Sequence, residues 1–407
     1  MSTKPCALHF GAGNIGRGFV GAVLVHAGAH VVFADVDKGV IDRVNKLGKY
    51  TVHILAANEA GEKQKPETEL IQDVSGILST DQKALEEVAV RDLVLITTAV
   101  GPSILPKIAP SIITVLRARQ KAGKGPINVV ACENTEGATT ALREAVMKQL
   151  REQDADKKLL EYAEHQVGWA DSAVDRIVPV FEPDVKTEET SLDVGVEPFY
   201  EWDVDERSLK VTHPDLQING ILPTDRLESY IMRKLYTLNT GHAITSYLGY
   251  LKGYDSISEA ICDPTIEPVV AQALKESGAA LRHKYGFPEK EHAHYRHTII
   301  VRFKNPNVPD SPQRVGRQPL RKLQPRDRLL GPMTMCRDYG LSRKNLIKGV
   351  AAALLFRDDS DDQAKEVAER ISSEGVEKVV VDLLSLAPDH EDVKGVVDAY
   401  NELQKKT

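Results

Sequence analysis

A glycine-rich turn near the start of the chain is the first segment whose residue types predict a chemistry. Gly11, Gly13 and Gly16 form a G-x-G-x-x-G pattern between an apolar run ending at Phe10 and a helical pattern over about residues 15–26. In that context the first glycine permits a tight turn, the second lets backbone approach a pyrophosphate, and the third lets helix and strand pack closely. The free N–H groups at a helix start also favour phosphate. The predicted dinucleotide-binding residues are Phe10, Gly11, Ala12, Gly13, Asn14, Ile15, Gly16, Arg17, Gly18 and Phe19.

An acidic residue ends the second predicted strand. Asp35 lies nineteen positions after Gly16, where a carboxylate accepts hydrogen bonds from the adenosine ribose hydroxyls. The same carboxylate repels the 2′-phosphate of NADP, although the cations Arg17 and Lys38 nearby would weaken that discrimination. We therefore expect the cofactor NAD rather than NADP.

Two later strand ends carry further candidates. The residues Thr98, Ala99 and Val100 follow the apolar run at 93–96, and small residues there suit the ligand crevice where the strand order reverses. The alternative is a plain turn. Asn134 comes soon after the run at 127–131. It is expected to line the same crevice, to cap the following helix, or to do both.

A polar triplet lies in the second half of the chain. Asn239 and His242 follow Lys234 by five and eight positions. On an α-helix, at about 100° per residue, this spacing places all three side chains on one face. Gly241 costs roughly 1 kcal/mol in a helix interior, which suggests a close approach beside His242. The triplet suits alcohol oxidation without a metal, because a lysine with a lowered pKa can take the hydroxyl proton and an asparagine can stabilise the alkoxide. A solvated lysine and a core histidine are the alternative.

A basic segment at 314–322 carries four cations around Gly316 and Pro319, two residues that restrict the backbone. Arginine binds phosphate through a planar fork and lysine adds a point charge. We expect a substrate phosphate to be held by Arg317, Arg321 and Lys322. The alternative is a solvated basic loop.

The elements that must position these residues change in character along the chain. In the first third, short apolar runs bounded by turn residues alternate with helical patterns, which predicts βαβ units and a buried parallel sheet. From about residue 224 onward the pattern is helical. The predicted fold is α/β, with an N-terminal Rossmann-type dinucleotide-binding domain at 1–205 and a mainly α-helical substrate and catalytic domain at 206–407.

Composition excludes several classes of protein. Of the 407 residues, 42% are hydrophobic and 27% are charged, which excludes global disorder. The formal net charge of -7 argues against a nucleic-acid partner. No apolar run approaches the roughly 18 residues of a membrane span, and without a signal-peptide pattern a cytoplasmic location is expected. The four cysteines are widely separated, so neither a metal site nor a disulfide framework is predicted.

These motifs together resemble the polyol-specific long-chain dehydrogenase/reductase, or mannitol dehydrogenase, family. The resemblance covers nearly the whole chain, and it implies Lys234 as general base, Asn134 with Asn239 as an oxyanion-stabilising pair, and no catalytic metal. The chain departs from the family pattern in a polar loop at 56–69 and in an insertion-like segment at 303–313. The matching segments are LHFGAGNIGRGF at 8–19, FADV at 33–36, TTAVGP at 97–102, ACEN at 131–134, DSAVDRIVP at 171–179, RKLYTLNTGHAITSYLG at 233–249 and RVGRQPLRKL at 314–323.

The resemblance also implies a reaction, the reversible NAD-dependent oxidation of D-mannitol 1-phosphate to D-fructose 6-phosphate. Lys234 would take the C5 hydroxyl proton, and His242 would hydrogen-bond the reacting or the adjacent hydroxyl. The expected partner is a small-molecule substrate, a sugar-alcohol phosphate, and no binding to nucleic acid or to a membrane is expected. The protein is expected to be a monomer. Three alternatives stay open: a dehydrogenase of another polyol or a hexuronate, a non-catalytic NAD-binding regulator, and an epimerase that holds NAD tightly.

Overall fold

The computed structural model describes residues 4–152, 156–211 and 221–405. The chain divides into two compact units. The first comprises Met1–Leu55 and Lys65–Tyr230, and the second comprises Ala56–Gln64 and Ile231–Thr407. A short segment from the first half of the chain therefore belongs to the second unit.

The first unit contains the strands of the described chain. They are β1 (Cys6–Phe10), β2 (His30–Asp35), β3 (Lys49–Ile54), β4 (Glu67–Gln72), β5 (Val74–Leu78), β6 (Leu93–Thr98), β7 (Ile127–Ala131), β8 (Val167–Trp169), β9 (Ser172–Asp175), β10 (Val194–Val196), β11 (Glu201–Asp205) and β12 (Ile221–Thr224).

Six of these strands form a parallel sheet in the order β5-β2-β1-β6-β7-β8. The strand order reverses between β1 and β6, which is the position where doubly wound sheets bind ligands. Strands β1 and β7 are buried along their whole length, because helices cover both faces of a parallel sheet. This sheet confirms the predicted Rossmann-type fold of the N-terminal half.

The helices of the first unit lie between these strands. A π-helical segment at Gly16–Gly21 leads into the first of them. They are α1 (Ala22–His26), α2 (Lys38–Leu47), α3 (Gln82–Ala89), α4 (Ala109–Lys121), α5 (Ala138–Glu152) and α6 (Lys157–His165).

Two smaller sheets, β10-β3-β4 and β12-β11-β9, complete the first unit. Strands β3 and β4 are antiparallel and pair from Lys49 opposite Gln72 to Ile54 opposite Glu67. The polar stretch at 56–69, expected to be a solvated loop or a hairpin tip, connects these two antiparallel strands, and its last three residues belong to β4.

The second unit is mainly helical, as predicted for the C-terminal domain, and α7 (Leu227–Lys234) leads into it. Helix α8 (Thr240–Leu251) is buried along most of its length. Within the described ranges no helix combines the length and apolarity that a membrane crossing needs. The further helices are α8 (Thr240–Leu251), α9 (Ile257–Ile261), α10 (Glu267–Tyr285), α11 (Glu289–Phe303), α12 (Pro312–Gly316), α13 (Pro319–Lys322), α14 (Leu330–Asp338), α15 (Lys344–Leu354), α16 (Asp362–Glu374), α17 (Val376–Leu384) and α18 (Glu391–Gln404).

Candidate functional site

The glycine turn after β1 requires its three glycines for different reasons. Gly11 has φ +106°, and a Cβ there would lie 2.6 Å from the Ala99 carbonyl oxygen. A Cβ on Gly16 would collide with the Gly11 carbonyl group. Gly13 is exposed and no atom lies within 4 Å of its Cβ position. Packing therefore requires glycine at 11 and 16, whereas Gly13 presents bare backbone to open space.

The end of β6 lies beside this turn. The Ala99 N–H donates to the Phe10 carbonyl oxygen at 2.8 Å, and the Cys132 N–H donates to the Thr98 carbonyl oxygen at 2.9 Å. The predicted crevice residues Thr98, Ala99 and Val100 are thus held at the point of strand reversal, next to the glycine turn.

Asp35 contacts the same turn through its carboxylate. One oxygen accepts the Ala12 N–H at 2.6 Å, and the other accepts the Asp37 N–H at 3.0 Å. The carboxylate is half-buried at the end of β2, which is the position from which it can also accept from ribose hydroxyls.

The two cations expected to weaken discrimination against NADP are both engaged elsewhere. Arg17 is buried, its guanidinium donates to the carbonyl oxygens of Leu192 and Ala12, and burial lowers its pKa. The Lys38 ammonium pairs with Asp42 at 2.6 Å. The Arg17 guanidinium is therefore used in hydrogen bonds that stabilise the turn, and the structure does not support the expectation that it could face a 2′-phosphate.

The other predicted cofactor residues fall into two groups. Asn14 and Ile15 are exposed at the tip of the turn. Phe10, Gly18 and Phe19 lie in the core, and a Cβ on Gly18 would meet Val196 at 2.8 Å. The buried group packs in the core around the turn, and its contact with the cofactor stays a prediction.

Glu133 is a residue that sequence reasoning missed. Its carboxylate is buried, and it accepts from the Thr98 hydroxyl at 2.8 Å and from the Val100 N–H at 3.0 Å. Burial raises its pKa against the opposing effect of these hydrogen bonds. The bonds join the end of β7 to the end of β6, and so place the adjacent, exposed Asn134 at this edge of the sheet. No sequence signal distinguished Glu133 from its neighbour.

The segment with Lys234, Asn239 and His242 is not a continuous α-helix. Helix α7 ends at Lys234, Leu235–Asn239 is π-helical, and α8 begins at Thr240. Because a π-helical turn holds more residues than an α-helical turn, Lys234 and Asn239, five positions apart, are offset by a smaller angle than in an α-helix, and His242 follows three positions later on α8. All three side chains are half-exposed while the positions around them are mostly buried. This pattern of exposure and the π-helical turn agree with a shared face, whose catalytic role stays a prediction.

His242 is held on two sides by residues of the second unit. Its ring stacks on Phe303 with centroids 5.2 Å apart, and its Nε2 atom lies 3.4 Å from Asp310 Oδ2. A Cβ on Gly241 would lie 3.0 Å from Phe303 and 3.2 Å from Leu274. The close approach predicted beside His242 is thus made by core side chains.

Asp310 was also missed, because it lies in the 303–313 segment that departs from the family pattern. Its carboxylate is 11% exposed, and it accepts from both Nε and a terminal nitrogen of Arg314. Burial raises the pKa of this carboxyl group, but the hydrogen bonds from His242 and Arg314 outweigh burial and leave the pKa below its usual value. Asp310 is therefore a carboxylate facing the imidazole.

The basic segment is firmly anchored in the second unit. Gly316 packs on the Phe356 ring, and its carbonyl oxygen accepts from the Tyr247 hydroxyl at 2.9 Å. Gln318 has φ +59°, a left-handed conformation that is uncommon outside glycine. The backbone is thus held in one shape, as the presence of Gly316 and Pro319 suggested.

The four cations of this segment have different environments. Arg314 pairs with Asp310, whereas Arg317 and Arg321 are exposed. Lys322 is buried, and its ammonium donates to the Arg317 carbonyl oxygen. Burial, followed by the nearby Arg328 and Arg321, lowers the Lys322 pKa to about 7. The exposed pair is therefore better placed for a phosphate than Lys322.

Sequence profiles identify the family. The profile of the mannitol dehydrogenase Rossmann domain matches residues 5–218, and that of the mannitol dehydrogenase C-terminal domain matches residues 226–404. The chain belongs to the mannitol dehydrogenase family. Both matched regions contain candidate residues described above, so the family membership covers the glycine turn and the Lys234 segment alike.

Solved structures share the fold of this mannitol dehydrogenase family member. A substrate-free D-sorbitol dehydrogenase has a TM-score of 0.81 at 18% identity, covering 99% of this chain and 94% of its own. The Pseudomonas fluorescens mannitol 2-dehydrogenase, in a ternary complex with NAD and D-mannitol, has a TM-score of 0.70 at 18% identity, covering 100% of this chain and 93% of its own. At this identity the likeness shows the fold alone.

Proposed function

We propose that this chain catalyses the reversible NAD-dependent oxidation of D-mannitol 1-phosphate to D-fructose 6-phosphate. The observation that carries the proposal is the common face of Lys234, Asn239 and His242 in a member of the mannitol dehydrogenase family. A base, an amide donor and an imidazole on one half-exposed face suit the removal of a hydroxyl proton and the stabilisation of the resulting oxygen.

The residues of the first unit fit NAD. Gly13 leaves open space for a pyrophosphate, and the Asp35 carboxylate lies at the end of β2, as ribose recognition requires. The mannitol 2-dehydrogenase that shares the fold was solved with NAD. When bound, NAD supplies the hydride acceptor for the oxidised carbon.

Each side chain of the helical face has a defined task in this proposal. The Lys234 amino group accepts the proton of the C5 hydroxyl during oxidation and returns it during reduction. The Asn239 amide donates to the oxygen that develops negative charge. His242 binds a substrate hydroxyl. Asn134 as the second donor to that oxygen stays a prediction from the family resemblance.

The phosphate is assigned to the exposed guanidinium groups of Arg317 and Arg321. Their backbone is held by a strained, well-packed segment, which lowers the entropy lost when a ligand is gripped. Arginine offers phosphate a bidentate fork, and charge-assisted hydrogen bonds contribute roughly 1.5–3 kcal/mol each. Lys322 is assigned at most a minor part in this contact, since its amino group is buried, is already bonded to the Arg317 carbonyl oxygen and has a pKa lowered to about 7.

The decisive experiment follows the formation or consumption of the reduced cofactor with D-mannitol 1-phosphate, D-mannitol and a hexuronate as separate substrates. Each substrate is tested with the NAD and with the NADP couple. We expect turnover only with the phosphorylated substrate, and with NAD strongly preferred because of Asp35. Equal turnover of D-mannitol would refute the phosphate assignment. Equal use of NADP would refute the role given to Asp35, and tight NAD binding without any NADH release would favour an epimerase or a regulator.

Variants of the basic segment test the phosphate site. Arg317→Ala and Arg321→Ala should each raise KM for D-mannitol 1-phosphate by about ten- to a hundredfold. Lys322→Ala should act mainly through loss of stability, because its side chain is buried. Arg143→Ala, an exposed arginine on α5, is the matched control and should change nothing. If residual activity on D-mannitol fell by the same factor, the arginines would support the fold or the sugar hydroxyls instead.

A further inference from the structure

Two segments that depart from the family pattern meet in the second unit. The first is the segment at 56–64, here called the outer loop, and the second is the Asp310 loop at 304–310. Gly61 has φ +81°, and a Cβ there would lie 2.8 Å from the Lys304 carbonyl oxygen. The outer loop therefore approaches the backbone of the Asp310 loop as closely as only glycine permits.

A hydrogen bond and an ion pair reinforce this contact. The Asn307 side-chain amide donates to the Ala56 carbonyl oxygen at 2.7 Å. The Lys304 ammonium pairs with Glu267 of α10 at 2.7 Å. The Asp310 loop is thus tied at its start to the outer loop and to a long helix.

The far end of the same loop is tied to α9 and α12. The Asp310 carbonyl oxygen accepts the Ile257 N–H at 2.9 Å, and its carboxylate is held by Arg314. The remaining partner of the carboxylate is His242 Nε2. Arg314 and the backbone hydrogen bond fix the position of the buried Asp310 carboxylate beside the imidazole ring. Because a carboxylate accepts hydrogen bonds, the facing His242 Nε2 is the nitrogen that carries the proton in the neutral ring.

We propose that Asp310 is a positioning residue that fixes the Nε2–H tautomer of His242, and that the outer loop holds Asp310 in place. In the neutral ring Nδ1 is then an acceptor. The stack on Phe303 restricts the plane of the ring, so the direction of this acceptor is restricted as well.

The tautomer decides which hydroxyl His242 binds, a conclusion that rests on the proposed function. The oxygen that loses its proton to Lys234 becomes electron-rich and needs hydrogen-bond donors. A nitrogen acceptor facing that oxygen would repel it. A neighbouring hydroxyl keeps its proton throughout the reaction and can donate to Nδ1. His242 therefore recognises the adjacent hydroxyl and contributes to substrate specificity.

The tautomer can be measured without substrate by NMR of the full-length protein labelled with ¹⁵N-histidine at pH 8.5, with His242 assigned from the His242→Gln spectrum. We expect an Nε2–H tautomer in the natural protein and its loss in Asp310→Asn. Asp382→Asn, which also removes a carboxylate bonded to an arginine, should leave the His242 signals unchanged. An Nδ1–H or doubly protonated ring in the natural protein would overturn the proposal.

Kinetics supply the second readout. Asp310→Asn should lower kcat/KM by about ten- to a hundredfold, as loss of a residue that orients a functional histidine does. A substrate analogue that lacks the hydroxyl next to C5 should show a much smaller loss on this substitution, because the hydroxyl that His242 binds is gone. Equal losses for both substrates would contradict the assigned hydroxyl. Failure of the proposed function is seen separately, as absent turnover by the natural enzyme.

A glycine pair tests the outer loop. Gly61→Ala should shift the His242 signals and lower kcat/KM, because the new Cβ displaces the Lys304 carbonyl group. Gly286→Ala has a similar backbone strain at φ +74° but no atom within 4 Å of its Cβ, so it should leave both unchanged. Equal effects of the two substitutions would show that the outer loop does not hold Asp310.

Discussion

Replacing Lys322 by methionine should flatten the pH dependence of stability between pH 7 and pH 9. The side chain is 4% exposed, and burial, followed by Arg328 and Arg321, lowers its pKa from 10.5 to about 7. Unfolding returns this pKa to the higher value. Across this pH window the unfolded chain therefore binds up to one proton more than the folded chain, and stability rises with pH.

The size of the effect follows from the two pKa values. One full proton changes the free energy of unfolding by about 1.4 kcal/mol per pH unit. Because Lys322 is half-protonated in the folded state near pH 7, the gain between pH 7 and pH 9 is about 2 kcal/mol. Methionine has no charge and a similar length, so this gain should disappear in Lys322→Met.

Urea unfolding at pH 7, 8 and 9 measures the free energy of unfolding of the natural protein and of Lys322→Met. The contributions of the other titrating groups cancel in the difference between the two. Lys365→Met is the control, because the ion pair with Asp362 raises the Lys365 pKa and keeps this exposed lysine charged throughout the window. Parallel curves for the natural protein and Lys322→Met would refute the reasoning. They would mean that Lys322 keeps its ordinary pKa in the folded protein despite its burial.

Three further predictions concern the turn, the helical face and acid stability. Gly16→Ala should lower the melting temperature, because the new Cβ would collide with backbone. Gly13→Ala should keep the natural melting temperature and bind NAD at least about tenfold more weakly. A similar fall in melting temperature for both variants would contradict this distinction. Lys234→Met should lower kcat by about 10²–10⁴-fold with NAD binding retained in a fluorescence titration, and an enzyme keeping more than a tenth of kcat would exclude a general base there. Burial and then three nearby arginines lower the pKa of His292 from 6.5 to about 3, so the folded ring stays neutral while the unfolded ring charges. Stability should therefore fall by about 1.5 kcal/mol between pH 6.5 and pH 5, and His292→Gln should remove that slope in urea unfolding; an unchanged slope would argue against a neutral buried ring.

Local patterns were sufficient to predict the first unit and the family. Short apolar runs bounded by turn residues predicted the parallel strands, because a strand buried on both faces must be apolar along its length. The G-x-G-x-x-G pattern and Asp35 predicted the turn and the acid that meet at the strand ends, because their spacing is set by one βαβ unit. The helical second unit was equally visible, since helix periodicity is a local property.

Tertiary structure alone decided the details of the candidate site. Whether Lys234 and Asn239 are separated by an α-turn or by a π-turn depends on packing around the helix, so the alignment of the two was not visible in the spacing. Asp310 reaches His242 across a long stretch of chain and from a segment that matched no motif. Lys322 and its arginine neighbours look alike in the sequence, and they differ only because other helices bury the lysine and leave Arg317 and Arg321 exposed. Hydrogen-bond register, long-range contacts and burial depend on what the folded chain places nearby, and no local residue pattern carries that information.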